Sequence, residues 1–88
     1  MTRRRVVVSG DVQGVFFRDT AQRMARSRGV AGWVTNRSDG AVEAVFEGEA
    51  DAVESMVRFC RHGPQGAAVE RVEESEEPVE GMQGFRIR

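Results

Sequence analysis

Several residue types that carry common protein chemistry are rare or missing in this chain of 88 residues. All 13 basic side chains are arginine, so the chain contains no lysine. This absence excludes a Walker-type phosphate loop, a Schiff-base lysine and a Ser-Lys dyad. Leucine is missing too, and the apolar residues are mainly 14 valines and nine alanines. Such a composition favours β-strands together with helices lined by alanine.

Cysteine and histidine occur once each, as Cys60 and His62. One cysteine forms no intramolecular disulfide, and no apolar run is long enough for a signal peptide or a membrane span. We therefore expect a cytoplasmic location. In a helix the two side chains would point about 200° apart, which excludes a zinc site or a Cys-His dyad between them. We expect neither a metal nor another cofactor.

The charges of the chain nearly balance, since 13 arginines and 14 acidic residues give a formal net charge of −1. A charge this small creates no field that attracts nucleic acid or an anionic membrane. We expect partners of neither kind, so any anion site must be local. The basic run at residues 3–5 is interpreted as the solvated start of a strand, and the acidic residues 73–78 as a solvated turn.

The order of the predicted elements indicates the fold class. Strands are predicted over residues 3–9, 30–36, 41–47 and 67–74, a short closing strand over 85–87, and helices over 17–28 and 50–61. This order predicts an α+β, ferredoxin-like split βαβ sandwich (βαββαβ), with a mainly antiparallel sheet and both helices on one face. The length predicts a single domain over residues 1–88. Trp33 and the phenylalanines are expected in its core.

Residues 10–18, Gly-Asp-Val-Gln-Gly-Val-Phe-Phe-Arg, join the first strand to the first helix. A glycine-punctuated turn that leads into a helix directs several backbone N–H groups to one point, which favours an anion there. Residues 13–16 include no Ser, Thr, Asp or Asn to cap these groups. Arg18 follows in the first helical turn, with a planar fork suited to two phosphoryl oxygens. The alternative is a hydrated turn beside a surface arginine.

Two motifs resemble the acylphosphatase family. The segment at residues 10–18 is similar to the family pattern G-x-V-Q-G-V-x-F-R at every fixed position. Gly-Trp-Val-Thr-Asn at residues 32–36, followed by Gly40, Val42 and Gly48, is similar to the second family pattern. The resemblance implies the same split βαβ fold and a hydrolase that converts carboxyl-phosphate mixed anhydrides to a carboxylate and inorganic phosphate. Thr35 departs from the family, which usually has a longer side chain at that position.

The resemblance also implies the roles of individual residues. Arg18 matches the substrate-binding arginine of the family, and Asn36 matches the asparagine that orients the attacking water. Without the resemblance, the favoured interpretation of Asn36 is a turn-forming residue before the hairpin. We expect metal-independent catalysis in which the phosphoryl oxygens are held by backbone N–H groups of the segment Gln13, Gly14, Val15, Phe16, Phe17 and Arg18, with phosphate as product or inhibitor.

Two other functions are compatible with the predicted fold. One is a non-catalytic phosphate-binding or regulatory module, because a fold alone does not determine a function. The presence of both Arg18 and Asn36 argues against it. The other is an RNA-binding sheet, which needs exposed aromatic side chains on the central strands. The first strand offers only valine for that purpose.

Overall fold

A computed structural model describes residues 1–88 as five strands and two helices. In chain order these are β1 (Thr2–Asp11), α1 (Phe17–Ser27), β2 (Ala31–Asn36), β3 (Val42–Gly48), α2 (Ala50–His62), β4 (Ala68–Glu76) and β5 (Phe85–Ile87). Both helices pack on one face of the sheet, α1 against β2 and β5, and α2 against β1, β3 and β4. The predicted α+β split βαβ sandwich is confirmed.

The strands form one sheet in the order β4-β1-β3-β2-β5. Three of the four pairings are antiparallel, and β5 runs parallel to β2. β5 thus adds an edge strand to the βαββαβ core. β1 is an interior strand, but its run of three valines is not buried throughout. Val6 and Val8 enter the core, whereas Val7 lies half-buried on the opposite face.

The core lies between the sheet and the two helices. Alternate residues of β1 and β3 enter it, as strand geometry requires, and α1 contributes a buried stripe that starts at Phe17. This cluster contains Val6, Val8, Val12, Phe17, Ala21, Ala25, Val30, Val34, Val42, Ala44, Phe46, Val53, Met56, Val57, Cys60 and Phe85. Burial raises the pKa of the Cys60 thiol, which makes this thiol inert.

Gly32 allows β2 to approach β3 closely. Its φ is +137°, and a Cβ at this position would lie 1.8 Å from the carbonyl oxygen of Val45. A residue with a side chain would therefore clash with the neighbouring backbone. The first glycine of the second motif is thus a requirement of strand packing.

Arg3 is buried, so the prediction that residues 3–5 are solvated is wrong for this residue. Its guanidinium pairs with the carboxylates of Glu47 at 3.3 Å and Glu77 at 3.0 Å, and only 6% of the residue is exposed. The partners lie 44 and 74 positions away in sequence, so no local pattern indicates them.

The Glu47 carboxylate fixes the connection between β4 and β5. It accepts hydrogen bonds from the backbone N–H groups of Glu80 at 2.9 Å and Met82 at 2.8 Å. The Glu80 N–H lowers the pKa of Glu47 most, with further lowering from Met82 and Arg3 and an opposing rise from burial. This set of contacts, which we call the Arg3–Glu47 cluster, orders the chain ahead of β5.

The predicted acidic turn is also wrong in its first half, because β4 continues to Glu76. Glu74 pairs with Arg61 at 2.7 Å and with Arg4 at 2.8 Å, and these contacts hold the acidic residues against β1 and α2.

Trp33 and Phe16 lie outside the core, although the sequence predicted all the aromatic side chains inside it. Trp33 lies half-buried on the other face of the sheet under the guanidinium of Arg88. Neither helix is long and apolar enough to cross a membrane.

Candidate active site

A cleft of about 310 Å³ opens where β1 leads into α1, beside the end of β2. Its size is at the lower end of the range for small-molecule sites. Three segments that are distant in sequence form it: the loop before α1 with the first turn of that helix, the end of β2, and the end of β5. The lining residues are Val12, Gly14, Phe16, Phe17, Arg18, Asp19, Asn36 and Ile87.

The loop ahead of α1 leaves its backbone donors free. Phe16 is the N-cap residue of α1, in the left-handed conformation with φ 61°, and no side chain caps the helix. The first helical hydrogen bond runs from the N–H of Thr20 to the oxygen of Phe16 at 3.0 Å. No N–H of residues 13–19 donates to another group of the protein. The predicted lack of a side-chain cap is confirmed.

Left-handed residues curl this loop. Gly14 has φ 76°, and Phe16 is the one residue other than glycine with a positive φ. Backbone turns of this kind gather N–H groups into a concave site for an anion. The positive end of the α1 dipole reinforces the preference for negative charge.

Arg18 brings a full positive charge to the cleft. It is the second residue of α1 and is half-buried, and its guanidinium forms no ion pair or side-chain hydrogen bond within the protein. The neighbouring carboxylate of Asp19 is paired with Arg23 at 3.5 Å instead. The Arg18 charge is therefore available to a ligand.

Asn36 reaches the same cleft from the end of β2, where it lies opposite Val42 of β3. Its carboxamide has no hydrogen-bond partner in the protein. The turn that follows is closed by Asp39, which accepts a hydrogen bond from the N–H of Ala41 at 3.1 Å. That bond lowers the pKa of Asp39 most, with support from Arg37. Because Asp39 closes the turn, the Asn36 carboxamide is not needed there and is free to bind a ligand.

Gln13 links the loop to the β2–β3 turn. Its side-chain amide donates to the carbonyl oxygens of Arg37 at 2.8 Å and Ala41 at 3.0 Å. Neither Gln13 nor Val15 lines the cleft, and Val15 packs against the core. The predicted binding role of both residues rests on their backbone N–H groups.

Ile87, Asp19 and Val12 also line the cleft, although the sequence analysis did not name them as site residues. Ile87 arrives there because β5 pairs in parallel with β2, with Ile87 opposite Val34. A short apolar segment after an acidic connection gives no signal of that register. Asp19 and Val12 could have been included because they adjoin the predicted site residues.

The cleft combines donors and one positive charge, so it suits a tetrahedral anion with a nucleophile held beside it. No group of three or more His, Cys, Asp or Glu side chains is placed to hold a metal ion. A family model described as Acylphosphatase matches residues 4–87. The chain belongs to the acylphosphatase family.

Individual acylphosphatases match over nearly the whole chain. One from Rubrobacter xylanophilus is 59% identical over 85 residues, which cover 96% of this chain and 77% of the relative. One from Haloquadratum walsbyi is 52% identical, covering 99% of this chain and 94% of the relative. The crystal structure of an acylphosphatase from Bacillus subtilis superposes with a TM-score of 0.94 at 39% identity, covering 100% of this chain and 99% of that one.

These similarities establish the class of activity. The protein is an acylphosphatase, a hydrolase whose substrate is a small-molecule acyl phosphate. Residues of the acylphosphatase motif at 10–18 and of the motif at 32–36 line this cleft together. It is therefore the candidate active site of this family member.

Proposed function

We propose that the acylphosphatase reaction takes place in the cleft, with the phosphoryl group bound by the N–H groups of residues 13–18 and by the Arg18 guanidinium. Asn36 then orients the attacking water. The observation that carries the proposal is that an unpaired guanidinium and an unpaired carboxamide line one cleft beside a loop of unpaired N–H groups. Each of these groups would be satisfied by a phosphoryl group and its attacking water.

The chemistry of the substrate explains why so few catalytic groups suffice. The carboxylate of an acyl phosphate is a good leaving group, so the reaction needs little proton transfer. Positioning and charge stabilisation then provide most of the rate enhancement. Arg18 would neutralise the charge on the phosphoryl oxygens, while Asn36 would hold water in line with the breaking bond. The water's proton would pass to a phosphoryl oxygen of the substrate.

The products would be a carboxylate and inorganic phosphate, and phosphate would compete with the substrate for the same cleft. We expect catalysis without a metal ion. A net charge of −1 supports the absence of a nucleic-acid partner. With a single cysteine the chain has no internal disulfide, and we infer a cytoplasmic location from this. We also infer that residues 1–88 act as one domain.

Hydrolysis of benzoyl phosphate and acetyl phosphate in the presence of a chelator tests the proposal. We expect turnover of both, competitive inhibition by phosphate, and no turnover of a phosphate monoester such as phenyl phosphate. A monoester lacks the activated leaving group, so it demands acid catalysis that the cleft does not provide. Turnover that disappears with the chelator, or phosphate inhibition that is not competitive, would contradict the proposed mechanism.

A further inference from the structure

Two of the four large apolar side chains exposed on this protein lie at the cleft. Phe16 is 78% exposed and Ile87 is 39% exposed, and both line it; the other two, Met1 and Val79, do not. Single exposed apolar residues are common, but two that line the same cleft form a local apolar surface of the kind that often marks a binding site. The positions of Phe16 and Ile87 therefore require an explanation that phosphate binding does not supply.

The backbone at Phe16 strengthens this point. Phe16 has φ 61° and ψ 27°, a left-handed conformation that bulky residues rarely adopt. Strain of this kind persists where the surrounding structure imposes it, and it is concentrated at functional sites. Here it places an aromatic ring in solvent at the mouth of the cleft, although burial is the usual position for phenylalanine.

The charges around the cleft restrict the chemistry of the occupant. Among the lining residues Arg18 is the only basic one, and Asp19 is the only acidic one. One phosphoryl group uses the Arg18 charge. A second negative charge on the acyl part of the substrate would find no further cation among the lining residues, because Asp19 already holds the neighbouring Arg23.

We propose that Phe16 and Ile87 form a subsite for the acyl part of the substrate, and that this subsite selects acyl phosphates with an uncharged apolar acyl group, aromatic ones above all. The ring of Phe16 offers an aromatic face to such a group. Ile87, at the end of β5, adds a second apolar side chain to the same cleft. The inference rests on the proposed function, because the phosphoryl group must first be bound in the cleft.

The test compares kcat/KM for benzoyl phosphate with kcat/KM for acetyl phosphate. The wild-type protein prefers benzoyl phosphate, and Phe16→Ala and Ile87→Ala each lower this selectivity ratio about tenfold, as expected for a lost apolar contact. Phe16→Leu keeps an apolar side chain and gives an intermediate ratio. Val79→Ala is the matched control, since Val79 is 46% exposed and lies outside the cleft, and it leaves the ratio unchanged.

Other results would overturn the subsite. If wild-type protein hydrolyses both substrates and the variants keep the wild-type selectivity ratio, the subsite is wrong while the proposed function stands. An unchanged ratio is also the result expected if Phe16 and Ile87 instead bind another protein. An equal loss on both substrates would place the effect in phosphoryl binding and would overturn the subsite too. If wild-type protein hydrolyses neither substrate, the proposed function itself fails. Thermal unfolding of each variant verifies folding, and Phe16→Leu with Ile87→Ala carries the test if Phe16→Ala does not fold.

Discussion

At the scale of single residues, Arg18 contributes the only positive side chain in the cleft. Arg18→Gln removes the charge and the bidentate hydrogen bonds, while leaving a shorter, uncharged polar side chain. We expect kcat/KM for acyl phosphates to fall at least about 10³-fold and competitive inhibition by phosphate to be lost. Arg28→Gln, on an exposed arginine after the same helix, is the control and should retain both. Strong phosphate inhibition of Arg18→Gln would contradict the assigned role.

Asn36 is expected to act on the water and not on the phosphoryl group. Asn36→Ala removes the carboxamide without changing the charge of the cleft. We therefore expect kcat to fall about 10²- to 10³-fold, while the inhibition constant of phosphate changes little. Steady-state kinetics with phosphate as inhibitor measure both quantities. Near-normal turnover in Asn36→Ala would show that water positioning lies elsewhere.

At the scale of structural elements, the two halves of the site belong to different segments joined by the Gln13 side chain. Gln13→Leu removes its hydrogen bonds to Arg37 and Ala41, each worth about 1 kcal/mol. We expect the loop and the β2–β3 turn to lose their fixed separation. Turnover of benzoyl and acetyl phosphate should then fall by a similar factor, about tenfold, because misplacement affects any substrate.

Urea unfolding and kinetics on both substrates test this expectation. Gln65→Leu serves as the control, because Gln65 is exposed in a turn outside the site. A fall in stability without any change in kinetics would make the Gln13 contacts purely structural. A fall confined to the aromatic substrate would assign Gln13 to acyl binding instead of positioning.

Local sequence signals predict one part of the site and miss another. Local signals were enough for the loop before α1: the glycines, the missing cap and Arg18 all lie within nine residues, and Asn36 follows from the second motif. Ile87 and Arg3 were not predictable in this way. The place of Ile87 depends on a parallel register with β2, and the burial of Arg3 depends on Glu47 and Glu77 far along the chain. Periodicity does not report such long-range pairing.

At the scale of the whole molecule, buried and paired carboxylates make stability depend on pH. The folded pKa of Glu47 lies below its ordinary value of 4.5, chiefly because of the N–H of Glu80. The pKa of Glu74 is lowered chiefly by Arg61. A depressed folded pKa stabilises the protein above the unfolded pKa, and that contribution is lost as pH falls through the folded value. We expect the urea midpoint to fall progressively below about pH 4.5.

Two variants test the source of this acid sensitivity. Glu47→Gln should lose about 3 kcal/mol at pH 7, because it breaks a buried ion pair, and its stability should vary less with pH below 4.5. Glu73→Gln, which affects an exposed pair with Arg71, should resemble the wild-type protein. An unchanged acid profile in Glu47→Gln would remove Glu47 as a cause.

The position of β4 at the sheet edge has a consequence for self-association. An edge strand offers unpaired backbone groups to any second copy of the chain, and charged side chains are a common protection. β4 carries four glutamates, Glu70, Glu73, Glu74 and Glu76, and a single arginine, Arg71, so two such edges bring an excess of like charge together. We therefore expect the excess of glutamate in this one strand to hinder edge-to-edge association of two copies.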